Sequence, residues 1–292
     1  MLNTALSSAQ TNTLDRVAPL LVVKIGGGAG VNMAACADDL ARIAQRGEVR
    51  LVLVHGVSDA LNRLCESRGV PVRTLTSPSG HSSRYTDAET RDLFVEAAEQ
   101  VNAQWVDLLR ERGVKAIGLT GEYAPLTGQR KDAVRAVVDG RVRIVRDDYT
   151  GTISGVEADA VQRVIDSAAI PVIPPLAASP DGLLNIDGDR AAAAVAAALT
   201  APDQTEASLL ILSNVRGLYR DPQDETSLMT RIGRDQLSQA EAWAEGRMKR
   251  KVLGASEALD GGVRRVIIAD GRVSDPVSRA LDGAGTHFEA QR

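Results

Sequence analysis

An α/β fold is expected for this chain: a mainly parallel, open central sheet between two layers of helices, a three-layer αβα sandwich in two lobes. Three observations point to it. Apolar runs of strand length alternate with helix-length patterns along nearly all of the 292 residues, the signature of βαβ units. Two of the runs end in glycine and pass straight into a helical pattern, at Lys24-Ile25-Gly26-Gly27-Gly28 and Val54-His55-Gly56-Val57-Ser58. The chain is 44% hydrophobic and 25% charged, which suits a globular protein with a sizeable core.

In order, residues 20–25 read as a strand, 31–45 as a helix, 49–55 as a strand and 58–68 as a helix. Residues 86–112 form a long helical stretch with Leu93, Phe94, Ala97, Val101, Trp105, Leu108 and Leu109 on one stripe. Thr86 is its expected N-cap, and Glu89 completes a capping box. A strand follows at 114–119, then a hairpin whose arms, 133–138 and 141–146, flank Asp139-Gly140, a dipeptide favoured in type I′ turns. Later strands are expected at 171–174, 208–213 and 265–269, with helices at 159–168, 188–199 and 250–259. Pro174-Pro175 and Ser179-Pro180-Asp181-Gly182 mark a lobe boundary. The expected division is a loose tail over 1–18, one lobe over 19–178 and a second over 179–292.

Composition excludes several classes. The formal charge is −4 and aromatics make up 3%, so nucleic-acid binding through a basic surface or a stacking platform is not expected. No apolar stretch reaches the roughly 18–20 residues that span a bilayer, and the polar tail lacks an apolar signal core. Cys36 and Cys65 lie within expected helices without metal-ligand spacing. They read as buried apolar side chains in a reducing cytoplasm.

The candidate sites are turns and charges. The strand–Gly26-Gly27-Gly28–helix junction offers N–H groups at a helix N-terminus, either as a plain tight turn or as a phosphate cradle beside Lys24. It is not a Walker loop, and Val31 stands where a dinucleotide fingerprint needs its third glycine. Gly56, Val57 and Ser58 make a second strand-to-helix turn, in which His55 reads as a packing residue rather than a base. Arg84 is either solvated or a bidentate carboxylate clamp. Asp187 or Asp189 caps the Ala-rich helix, and Asn185 suits an amide contact. Ser213, Asn214 and Gly217 follow a strand end that could line an adenine site. Arg247, Met248, Lys249, Arg250 and Lys251 open a helix whose charges are either solvated or phosphate-directed.

Taken together, these motifs resemble the amino acid kinase superfamily, in its acetylglutamate kinase-like branch, over roughly residues 20–286. Within that branch the run Gly80-His81-Ser82-Ser83-Arg84-Tyr85-Thr86-Asp87, with Asp148-Tyr149-Thr150-Gly151, is similar to kinases whose acidic amino acid is tethered to a carrier protein. Ser213-Asn214-Val215, Gly246-Arg247-Met248-Lys249-Arg250-Lys251 and Ala269-Asp270-Gly271-Arg272 add to it.

The resemblance implies transfer of the ATP γ-phosphoryl group to a side-chain carboxylate. Lys24 and Lys251 would stabilise the transferring group, with Asp189 holding both. Gly26, Gly27, Gly28, Ser213, Asn214, Gly217, Met248 and Lys249 would bind nucleotide and phosphate, with Mg²⁺ and few or no protein ligands to it. Gly56, Val57, Ser58, Arg84 and Asn185 would bind the amino acid, 2-aminoadipate or glutamate. The first lobe would be the substrate and dimerisation lobe of a homodimer, with the apolar stripe over 86–112 as its interface, and the second would bind nucleotide.

The family's second strand usually ends His-Gly-Gly, so Val57 is expected to restrict φ and crowd the site. Residues 130–146 hold six basic side chains (Arg130, Lys131, Arg135, Arg141, Arg143 and Arg146) and two acids. This is either a solvated hairpin edge or a docking face, through Arg130, Lys131, Arg141 and Arg143, for an acidic amino-group carrier protein. The alternatives are a kinase of free N-acetylglutamate and, in a different class, a non-catalytic nucleotide- or carrier-binding regulator.

Overall fold

The computed structural model describes residues 18–78, 80, 82–138, 140–200 and 206–290. The expected tail, apart from Ala18, lies outside the described residues, as do Ser79, His81 and Asp139 of the motifs above.

The central element is an eight-stranded sheet. From edge to edge it runs β14 (Arg231–Gly233), β16 (Thr286–Glu289), β15 (Arg265–Asp270), β13 (Ala207–Ser213), β1 (Leu20–Ile25), β2 (Arg50–His55), β10 (Ile170–Ile173) and β5 (Ala116–Gly118). Every neighbouring pair is parallel except β15 with β16. Successive residues of β1 go to opposite cores: Leu20 and Val22 to one, Leu21, Val23 and Ile25 to the other. Burial on both faces is why these strands are apolar at nearly every position.

Helices α4 (Ala158–Asp166), α5 (Gly188–Leu199), α6 (Leu237–Trp243) and α7 (Met248–Asp260) cover one face. The other is covered by α1 (Met33–Arg46), α2 (Ser58–Ser67), α3 (Ala88–Glu111) and α8 (Pro276–Leu281). The three-layer αβα architecture stands as expected. Cys36 and Cys65 are free thiols buried on α1 and α2.

Smaller elements, most of them too short or too polar to stand out in the sequence, complete the molecule. A four-stranded sheet, β12 (Gly182–Asn185), β11 (Leu176–Ser179), β6 (Leu126–Arg130) and β9 (Gly151–Val156), lies beside the main one. Two hairpins pair β3 (Thr74–Thr76) with β4 (Ser82–Arg84), and β7 (Val134–Val138) with β8 (Arg141–Val145). The second is the hairpin expected around Gly140, which takes the left-handed φ of 73°. Ser179-Pro180-Asp181-Gly182 is the tip between β11 and β12.

Two expectations on α3 are corrected. Its N-cap is Asp87, whose side chain accepts from the Thr90 N–H at 2.9 Å. Thr86 is buried with its hydroxyl engaged elsewhere. The apolar stripe is not a free surface for a second subunit. Leu93, Phe94, Ala97, Val101, Trp105 and Leu109 are buried in the chain's own core, because α3 crosses α1, α2 and the sheet.

Candidate active site

The carboxyl ends of β1, β2, β13 and β15 gather the expected residues at one edge of the sheet. Lys24 is the fifth residue of β1, and alternation sends its side chain to the α5 face. There Asp187 caps α5, accepting from the N–H groups of Asp189 and Arg190 at 3.0 and 3.1 Å. The carboxylate of Asp189, in the first helical turn, is thereby aimed at the strand.

Lys24 Nζ lies 2.7 Å from Asp189 Oδ1 as an ion pair, and Lys251 Nζ, from the first turn of α7, donates to Oδ2 at 3.0 Å. All three residues are buried. Burial alone would raise the Asp189 pKa, but the two ammonium groups reverse that and hold it well below the usual carboxylate range. Burial pulls Lys251 down while Asp189 opposes it. Two cations on one carboxylate leave a net positive charge out of water, an arrangement suited to a further anion.

Glycines set the spacing of these groups. A side chain at Gly254 would bring Cβ to 3.2 Å of the Asp189 carbonyl, so glycine lets α7 approach α5 one turn beyond Lys251. Gly254 carried no recognisable signal in the sequence. A Cβ at Gly27 would lie 2.1 Å from the Gly56 carbonyl carbon, and one at Gly56 would lie 2.4 Å from the Gly27 nitrogen. The two strand-to-helix turns therefore touch backbone to backbone. Nothing lies within 4 Å of a Cβ at Gly28. The N–H groups of Gly27 and Gly28 find no acceptor among the described residues, as a phosphate cradle requires.

Val57 is corrected. Its φ is −132°, ordinary for valine, and its side chain is buried in the core with Leu61 and Cys65. It neither strains the turn nor crowds the site. His55 is fully buried, with Nε2 at 3.2 Å from Asn102 Nδ2, which also donates to the Val172 carbonyl at 2.9 Å. Burial lowers the imidazole to about 4, assisted by the nearby Lys24 charge, so it is neutral and structural.

Arg84, at the end of β4, donates through Nη2 to Asn62 Oδ1. Its Nη1 is buried with no partner, a donor left open for a carboxylate. Burial lowers its pKa, as does nearby Arg247. Asn185 ends β12 and donates to Thr86 Oγ1 at 3.0 Å. Gly56, Val57 and Ser58 bring the head of α2 to the same edge.

On the other side, Ser213 is buried at the end of β13 and Asn214 is exposed. Met248 and Lys249 are half-buried in the first turn of α7. Gly217 is packed inside the fold, where a Cβ would meet Thr286 Oγ1 at 2.5 Å. Its need for glycine is one of packing. Arg250 is not a solvated charge: it donates to Asp187 Oδ2 at 3.1 Å and to the Ser82 carbonyl, tying α7 to the α5 cap and to β4.

Arg141 and Arg143 on β8, and Lys131 between β6 and β7, are exposed. Arg130 differs from the docking role expected of it. Its guanidinium donates to the carbonyls of Asp148 and Arg146 at 3.0 and 2.9 Å and stacks on Tyr149 at 3.9 Å, so it is a structural brace.

The Amino acid kinase family model matches residues 19–270. The chain belongs to the amino acid kinase family. Two curated relatives, from Deinococcus radiodurans and Thermus thermophilus, are both named LysW-aminoadipate kinase. Each is 43% identical to this kinase, over 93% and 91% of its chain and 92% and 99% of theirs. Among solved structures it is similar to N-acetylglutamate synthase from Neisseria gonorrhoeae, complexed with coenzyme A and N-acetylglutamate. The TM-score is 0.74, with 26% identity over 94% of this chain. The kinase spans 60% of that synthase's length. Carbamate kinase from Giardia lamblia bound to AMP-PNP, at 14% identity and a TM-score of 0.65 over 94% of this chain, shares the fold.

Proposed function

We propose that this amino acid kinase uses ATP to phosphorylate the side-chain carboxylate of an acidic amino acid, 2-aminoadipate or glutamate, held through its α-nitrogen on an acidic amino-group carrier protein. The observation that carries the chemistry is the convergence of Lys24 and Lys251 on the buried Asp189. The names of the two 43%-identical relatives support the carrier-linked acceptor.

The acceptor carboxylate, with a pKa of about 4, is ionised at neutral pH and needs no general base. That agrees with His55, the one histidine at the site among the described residues, being locked neutral in a packing role. The work left to the protein is alignment and neutralisation. Lys24 and Lys251 flank the transferring group from strand and helix. Asp189 fixes both ammonium groups in place, so neither must reorganise as negative charge shifts. Gly27 and Gly28 present N–H donors to the phosphates. Arg84 Nη1 receives the α-carboxylate, and Asn185 meets the α-nitrogen.

The donor set suits ATP bound with Mg²⁺, to which the protein would supply few or no direct ligands. Asp189 is occupied by two lysines, and no group of three or more His, Cys, Asp or Glu among the described residues could hold an ion. Mg²⁺ would supply charge neutralisation between the phosphates.

The two-lobe division is part of the same proposal: residues 19–178 contribute β1, β2, β10 and β5, residues 179–292 contribute the rest of the main sheet, and Lys24 stands at the seam. A homodimer and a cytoplasmic setting also belong to it. No helix among the described residues is long and apolar enough to cross a membrane.

The test is to offer carrier-linked 2-aminoadipate, carrier-linked glutamate and free N-acetylglutamate with ATP and to trap the acyl phosphate with hydroxylamine. Hydroxamate from a carrier-linked acid is expected. Hydroxamate from free N-acetylglutamate alone would replace the carrier by the free substrate, and none from any acid would leave a nucleotide-binding regulator.

A further inference from the structure

Thr86 is fully buried and does not cap α3, which leaves its hydroxyl to be explained. Oγ1 lies 3.2 Å from the carbonyl of Arg84 and 3.0 Å from Nδ2 of Asn185. A carbonyl oxygen can only accept, so the single hydroxyl proton is committed to Arg84. The hydroxyl can then offer Asn185 only a lone pair, and the Asn185 atom facing it must be the NH₂ group. The opposite orientation would set two acceptors against each other. The amide is thus fixed with Oδ1 on its outward side, and Oδ1 has no partner among the described residues.

The backbone holds the same groups in place. The Tyr149 N–H donates to the Thr86 carbonyl at 2.7 Å, and the Asn185 N–H donates to the Tyr149 carbonyl at 3.0 Å. The Tyr149 ring is stacked between the guanidinium groups of Arg91 and Arg130, at 4.5 and 3.9 Å.

We infer that Thr86 is a positioning residue that sets the polarity of Asn185, so that the site presents a hydrogen-bond acceptor to the substrate's α-nitrogen and selects an acylated nitrogen bearing an N–H. The inference rests on the proposed contact between Asn185 and that nitrogen. It explains why one buried hydroxyl joins the two substrate-facing residues: its donor end holds the main chain of Arg84 and its acceptor end holds the side chain of Asn185. An ester oxygen in place of the amide N–H would face Oδ1 with a second acceptor and lose the contact.

The experiment compares the amide-linked substrate with its ester-linked analogue in the wild type, Thr86→Val, Thr86→Ser and Asn185→Ala. Wild type and Thr86→Ser should favour the amide by about 3- to 10-fold in KM, the equivalent of one hydrogen bond. Thr86→Val should lose that preference while the KM for ATP stays unchanged. It should also add nothing further in an Asn185→Ala background. If Thr86→Val does not fold, Thr86→Ala is read against Thr86→Ser in the same way. Retention of the full preference by Thr86→Val or Thr86→Ala, or additive losses with Asn185→Ala, would overturn the inference. A wild type that discriminates amide from ester although Asn185→Ala does so equally would instead remove the Asn185 contact on which it rests. Absence of turnover on carrier-linked and free N-acyl substrates alike overturns both.

Discussion

One carboxylate shared by two lysines makes the chemistry of Asp189, Lys24 and Lys251 inseparable from their stability. Replacing Lys24 or Lys251 with Met is expected to lower kcat by about 10²–10⁴-fold, as the loss of a preorganised electrostatic donor does, with turnover followed by trapped hydroxamate. Asp189→Asn leaves two buried ammonium groups without a counter-charge and should destabilise the fold by about 3–5 kcal/mol, read from denaturant midpoints. The pH dependence follows in sign. Asp189 is depressed in the folded state, so its contribution is present above the unfolded carboxylate pKa of about 4 and is lost as pH falls below it. His55, lowered from 6.5 to about 4, binds its proton more readily when unfolded. It therefore removes about 3 kcal/mol as pH drops from 6.5 to 4. His55→Asn should flatten the stability profile across that window, while Asp189→Asn should flatten the limb below it.

Between elements, backbone approach sets the geometry. The turns after β1 and β2 meet at Gly27 and Gly56, where a Cβ would sit 2.1 to 2.4 Å from main-chain atoms. No flexible side chain can yield there, so Gly27→Ala should cost about 1–3 kcal/mol or more through overpacking. Gly28→Ala, whose Cβ meets nothing within 4 Å, should leave the melting temperature of the nucleotide-free protein near the wild-type value. Similar losses in both variants would mean that the turns do not touch. Gly254 acts more mildly between α5 and α7: a Cβ there, 3.2 Å from the Asp189 carbonyl oxygen, would displace the helix carrying Lys251 only slightly.

The chain is acidic overall, at −4, yet Arg141 and Arg143 on β8, and Lys131 in the link leading into β7, are exposed. Val142 and Ile144, which alternate with these arginines and take the opposite face of β8, are exposed too, at 50% and 59%. A basic face on an acidic chain suits an acidic protein partner. Charge reversal at Arg141 and Arg143 is expected to raise the KM for the carrier-linked substrate by about tenfold and to weaken its salt dependence, mainly through slower association. The KM for ATP should not change. An unchanged KM and salt slope for the carrier-linked substrate would place docking on another surface.

The sequence by itself determined the αβα architecture, because strands buried on both faces must be apolar at almost every position and helices between them must be amphipathic. It also pointed to the two lysines and the glycine turns, since strand–glycine–helix junctions are local patterns. The four-stranded sheet was not legible: strands such as Leu126–Arg130, with a glycine and three polar or charged residues, carry no periodicity that exceeds a loop's. Only tertiary structure decided the roles that depend on neighbours distant in sequence. Val57 turned its side chain into the core, the stripe on α3 was consumed by the chain's own helices, and Arg130 became a brace on Tyr149. Thr86 gave up a cap to fix Asn185, 99 residues away. A hydroxyl, a guanidinium or an apolar stripe has no intrinsic partner. Its role is assigned when folding determines which groups it must satisfy away from water.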